Sequence, residues 1–171
     1  MELDKSRTCC FTGHRDMSVL EKKTAGTCVM ELIDDLYGRG YRHFITGGAI
    51  GFDTLAAVCV ITARDTKYPD ITLTLAIPCP DQTLKWSSKD KQNYKRIMMC
   101  ANESVLLSTE YTPYCMHQRN RWMVDHSSAV IAYCHSEKGG TFSTVTYAKK
   151  AGAAIINVAN LEKMRVLYER S

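Results

Sequence analysis

The strongest constraint on this chain is a repeated alternation. Short apolar runs fall at Arg7 to Thr12 (RTCCFT), His43 to Thr46, Ile71 to Ile77 (ITLTLAI), Ser104 to Leu107, Ala129 to Tyr133 and Ala154 to Val158. Each is followed by a stretch of helical periodicity, over Val19 to Tyr37, Gly51 to Arg64, Lys91 to Cys100, Met116 to His126, Thr141 to Ala151 and the tail from Leu161. Strands this continuously apolar are buried on both faces, and right-handed crossovers then leave little but a parallel sheet between two helical layers. The expected fold is α/β, doubly wound, with a mainly parallel sheet and helices on both faces.

The 171 residues suit one domain, residues 1–171, with no linker and no internal repeat, and 45% apolar against 23% charged residues is ordinary for a globular chain. No apolar run has the length that crosses a bilayer, and MELDKSRTCCF lacks a secretion-signal pattern, so a cytoplasmic protein without membrane contact is expected. The eight cysteines are scattered, with no CxxC pair and no zinc spacing, and read as small buried hydrophobes; no metal is expected. The net charge of +4 is modest, and the one dense basic run, KWSSKDKQNYKR, also carries an aspartate, which counts against nucleic acid as partner.

In a doubly wound fold, ligands sit outside the carboxyl ends of the strands. That rule selects Thr12-Gly13-His14-Arg15, the turn ITGGAIGFD, the proline-flanked PCPDQTLKW and HSEKGGT. In the second of these, Gly47, Gly48, Ala49 and Gly51 let a ligand approach the backbone, and the following helix start offers amide donors to a phosphate. The first adds an imidazole and a guanidinium suited to phosphate or carboxylate. Gly139, Gly140 and Thr141, with Thr144, form a second glycine turn at a helix start. On the helix from Met116, Arg119 and Arg121 lie roughly 200° apart, so only one addresses the ligand. Arg119, read as a first-turn residue, is chosen for that role, with Asn120 bonding a loop backbone or a ribose, while His126 reads as a packing histidine. Trp86, Tyr111 and Tyr114 are read as rings that stack on a base or close over it.

TGHR, ITGGAIGFDTLAA, QRNRWMVDHSSAVIAY and KGGTFSTVTYAKKAG, in this order, resemble the SLOG superfamily, the Rossmann-like group joining DprA/Smf DNA-processing proteins to LOG-type enzymes. IPCPDQTLKWSSKD and STEYTPYCMHQRNRWMVDHS are similar to its YpsA-like branch. The resemblance implies a site for a nucleotide or nucleotide derivative of ADP-ribose, NAD or cyclic ADP-ribose type. LOG enzymes, which cleave a base from a nucleoside monophosphate, carry Arg-x-x-x-Met and PGGxGTxxE. Arg119 and Met123 fit the first pattern, but Lys138, Phe142 and Thr146 depart from the second, and Thr146 stands where that family has its carboxylate.

Binding without turnover, as a sensor or a sequestering protein, is therefore expected, with no required cofactor and no catalytic residue assigned. Self-association as a homodimer or higher homo-oligomer is left open. One alternative is a LOG-like hydrolase using a relocated carboxylate, Asp53, Glu110 or Asp125; Asp53 otherwise orients the glycine loop or a ribose hydroxyl. Another is single-stranded DNA binding of the DprA type, for which Trp86, Tyr94, Tyr111, Tyr114 and Trp122 supply rings.

Overall fold

β1 (Thr8–Gly13) lies in the middle of a six-stranded sheet of order β4-β3-β2-β1-β5-β6. The computed structural model describes residues 3–160. The other strands are β2 (His43–Thr46), β3 (Thr72–Ile77), β4 (Glu103–Leu106), β5 (Ala129–Tyr133) and β6 (Ala154–Asn157), and every neighbouring pair is parallel. The chain works outward from β1 to β4, then returns to place β5 on the other side of β1. The strand order thus reverses between β1 and β5, where a doubly wound sheet leaves its crevice.

Between the strands run α1 (Val19–Gly38), α2 (Phe52–Thr66), α3 (Ser88–Cys100), α4 (Cys115–Asp125) and α5 (Gly139–Lys150). α2 packs on both α1 and α3, whereas α4 packs on α5, which gives two helical layers. Side chains alternate across a strand, so β1 sends Cys9 and Phe11 into the core under α1 and α2 and Cys10 into the core under α4 and α5. Burial on both sides is the reason Cys9, Cys10 and Phe11 are apolar in succession. Phe11 stacks on Phe44 at 6.1 Å and meets Phe52 edge-on at 6.4 Å, fixing the start of α2 to the two central strands.

The expected alternation is present, with shifts at element ends that caps explain. α3 begins at Ser88, ahead of the expected Lys91, because the Ser87 hydroxyl accepts the Asp90 amide at 3.1 Å. α5 begins at Gly139 rather than Thr141, so its glycines belong to the helix itself. The expected helix from Leu161 lies outside the described residues. Among the described residues, no helix is long and apolar enough to cross a membrane. Apart from the exposed Cys100, the free cysteines are buried, as the sequence pattern indicates.

Phe11→Ala should lower unfolding free energy by ~3–5 kcal/mol, because a large ring is removed from a site that cannot collapse around the gap. In urea titration the midpoint falls at unchanged slope; a loss below about 1 kcal/mol would show that this ring does not anchor the core.

Candidate functional site

At the carboxyl end of β2 the chain must turn sharply into α2, and Gly51 makes this turn with φ at 87°. A Cβ at Gly51 would run into the backbone carbonyls of His14 and Arg15. That closeness is used, since the Phe52 amide donates to the His14 carbonyl at 3.1 Å. The Thr54 and Leu55 amides donate to Ala49 and Gly51 carbonyls, and the Gly48 amide to the Thr46 hydroxyl at 3.4 Å. The glycine turn thus spends much of its donor capacity on the chain, where the sequence pattern had suggested donors open to phosphate.

Gly47 is tight for another reason: a Cβ there would strike the Arg119 guanidinium. Arg119 is only 4% exposed. Its Nη1 donates to the Gly47 carbonyl at 2.7 Å, the Ala76 carbonyl at 3.3 Å and Gln82 Oε1 at 3.2 Å, and its Nε donates to Asn120 Oδ1 at 2.8 Å. Gln82 Nε2 adds a bond to the Gly47 carbonyl at 3.3 Å. Because α4 starts at Cys115, Arg119 lies in its second turn and not in its first. It reaches back under the glycine turn, while Arg121 points away and sits over the Tyr147 ring at 5.2 Å. Most of the guanidinium is therefore bound to the protein's own oxygens.

Asp53, 6% exposed, accepts the Ala49 amide at 3.4 Å and orients the glycine loop. Burial pushes its carboxyl up to about 6, against the pull of the Arg119 charge. At neutral pH the two buried charges offset one another.

In front of this wall lies a cavity of about 270 Å³. Thr12, Gly13, His14 and Arg15 form one side, Ala49 and Asp53 the floor, Met116, Arg119 and Asn120 the α4 side, and Gly140 and Thr141 the start of α5. Most of the expected residues are thus brought together. Gly47, Gly48, Gly51 and Gly139 do not line this cavity, and Thr144 turns inward, donating its hydroxyl to the Gly140 carbonyl at 2.8 Å.

Two features give the cavity an anion-binding character, and a third sets the state of its imidazole. Arg15 is exposed and has no carboxylate partner among the described residues. α5 has no side-chain cap at its start, so the amide end near Gly140 and Thr141 faces the cavity with its partial positive charge. His14 Nε2 accepts the His135 amide at 3.0 Å, so the neutral ring carries its proton on Nδ1. Burial, aided by His135, holds the His14 pKa below its ordinary value and keeps the ring neutral at pH 7.

A larger cavity, about 780 Å³, adjoins through Arg15 and Met116. Trp86 and Tyr111 line it together with Ile50, Leu84, Asp81 and Asp90, while Tyr114 is exposed and lines neither cavity. Sequence reasoning missed Gln82 and Met116; the only signal for Gln82 was its place in PCPDQTLKW after a buried strand. Of the three carboxylates considered for hydrolysis, Asp53 alone reaches the central cavity. Glu110 is exposed, and Asp125 accepts the Tyr147 hydroxyl at 2.8 Å. His126 bonds the Trp122 carbonyl and stacks on its ring, as a packing histidine does.

The family model of YpsA, described as the YspA SLOG family, matches residues 9–161. The chain belongs to this family. The SPbeta prophage-derived protein YoqJ of Bacillus subtilis is 33% identical over 135 residues, covering 71% of this chain and 78% of YoqJ. A UPF0398 protein of Staphylococcus haemolyticus is 29% identical over 116 residues, covering 66% of this chain and 59% of that protein. The fold is similar to DNA processing protein A from Helicobacter pylori, with TM-score 0.62 at 19% identity over 93% of this chain and 73% of the other. For its Streptococcus pneumoniae counterpart the TM-score is 0.66 at 14% identity, over 96% and 57%.

In this SLOG chain the buried pair yields two predictions. Arg119→Met should lower stability by ~3–5 kcal/mol, because Asp53 and the Gly47 carbonyl lose their partner; a loss under about 1 kcal/mol in urea would contradict the bonding described. Asp53 binds its proton more tightly folded than unfolded. Its contribution is fully present below pH 3.8 and lost as pH rises through about 6. Between pH 4 and 7, Asp53→Asn should therefore gain roughly 3 kcal/mol relative to the parent. Parallel curves of Tm against pH for the two proteins would contradict this.

Proposed function

We propose that the central cavity binds the phosphate of a nucleotide derivative, and that the protein holds this ligand, as a sensor or sequestering protein, without cleaving it. The observation that carries the reading is the uncapped start of α5, with Gly140 and Thr141, across one cavity from the exposed Arg15, which makes no salt bridge among the described residues. Both features favour negative charge, and the β1/β5 reversal puts them where doubly wound folds bind ligands.

Size distributes the ligand. Ligand pockets usually measure about 300–1,000 Å³, so a 270 Å³ cavity takes phosphate and ribose while a base extends into the 780 Å³ neighbour beside Trp86 and Tyr111. For turnover, the carboxylate nearest the phosphate is Asp53, and it is tied to the Ala49 amide and the Arg119 charge. Thr146 lies outside this cavity, in the groove between α4 and α5.

Calorimetric titration with AMP, ADP-ribose and NAD tests the reading. Arg15→Ala should weaken binding by ~1.5–3 kcal/mol, the scale of a charge-assisted hydrogen bond, at unchanged stability; unchanged affinity would remove Arg15 from the site. Chromatography of the incubated ligands should return them intact. Free base appearing in proportion to protein, and stopped by Asp53→Asn, would instead establish the hydrolase.

Single-stranded DNA is a second reading. The Helicobacter pylori protein was solved for its single-stranded DNA binding mode, and here Tyr111 and Tyr114, 65% and 69% exposed, stand at the same edge as Arg15. Retention on an oligonucleotide that falls steeply with salt would favour it.

A further inference from the structure

A third cavity, about 370 Å³, lies in the groove between α4 and α5. Asn120 lines both this groove and the central cavity, just as Arg15 and Met116 line both the central cavity and the one beside Trp86. The amino-terminal half of α4 therefore lines all three spaces, and the central cavity shares a wall with each of the other two.

The groove is equipped for more than packing. Arg121 and Lys150 are exposed on it, and neither has a carboxylate partner among the described residues. Phe142, in the first turn of α5, is 37% exposed on the same wall. Asn120 Oδ1 is taken by Arg119 Nε, which leaves the amide nitrogen at the junction of the two spaces with no partner among the described residues. Two cations, an aromatic face and a free amide donor are what a second nucleotide unit requires: charge for phosphate, a ring for the base, a donor for the link between them.

We infer that the protein takes a two-ended ligand, a dinucleotide, whose central phosphate lies between Arg15 and the start of α5. One nucleoside extends toward Trp86, and the other nucleotide unit lies along the groove, with its base against Phe142 and its own phosphate against Arg121 and Lys150. The inference rests on the central phosphate site proposed above and adds a second, distal subsite. Two linkages share this chemistry, a 5′–5′ pyrophosphate as in NAD and a 3′–5′ phosphodiester as in a short DNA strand.

Calorimetry with AMP, NAD and the dinucleotide pTpT on the parent, on Arg15→Ala and on the double variant Arg121→Gln/Lys150→Gln separates the possibilities. At least one dinucleotide should bind the parent about tenfold more tightly than AMP, on the scale of one added charge-assisted contact. The double variant should erase that advantage while AMP affinity stays within about twofold and the circular dichroism and Tm are unchanged, and the linkage preferred identifies the source of the ligand. Equal affinity for AMP and both dinucleotides, or an advantage that survives in the double variant, overturns the inference. If Arg15→Ala still weakens AMP binding at least about tenfold in that case, the central site stands alone. If AMP does not bind, or binds Arg15→Ala unchanged, the central site falls and the distal subsite with it.

Discussion

The site depends on one buried cation. Arg119 reaches from α4 beneath the sheet edge and donates to carbonyls of the glycine turn and of β3, with Gln82 and Asn120 taking further bonds. A guanidinium is suited to this because its rigid fork directs several donors at once and stays charged when buried. Its charge is offset by Asp53, which in turn holds the Ala49 amide. The loops that follow β2 and β3 are thereby fixed to each other and to α4 before any ligand arrives. Pre-ordering of this kind lowers the entropic cost of binding.

The division of labour between the two cations follows from their surroundings. Arg119 is enclosed and its donors are largely used, so its role is to shape the cavity. Arg15 is exposed on the rim and makes no salt bridge among the described residues, so it can meet an anion without giving up an internal bond. The two helix starts differ in the same way, with α2 closed off by the His14 carbonyl and α5 uncapped toward the cavity. In the proposed site the anion-attracting end is accordingly α5 and Arg15, with the glycine turn of α2 as its backing wall.

Much of the fold was legible because burial on both sheet faces leaves strand centres with no polar alternation, as in Cys9-Cys10-Phe11 and AVIAY. Loops at the strand ends followed from that, and Thr12 to Arg15, Ala49, Asp53, Asn120, Gly140 and Thr141 do converge. What stayed hidden depends on contacts distant in sequence. Nothing local shows that Arg119 and Gln82 share the Gly47 carbonyl, and helical phase alone placed Arg119 toward the crevice without saying what it bonds. Counting from Met116 also set it one turn too early, because Cys115 carries no capping signature. The departures from the LOG pattern were visible as residues, but the placement of Thr146 in a different groove from Asp53 required the packing of α5 on α4.

The backbone amides that meet the ligand distinguish α5 from α2 as the anion's seat, and amide NMR during an AMP titration observes them directly. Gly140, Thr141 and Arg15 should show the largest shifts, growing with saturation, while the internally bonded amides of Phe52 and Thr54 move little. Shifts concentrated at Gly48 to Thr54, with Gly140 and Thr141 unmoved, would contradict anion binding at α5 and Arg15 and place the anion on α2 instead.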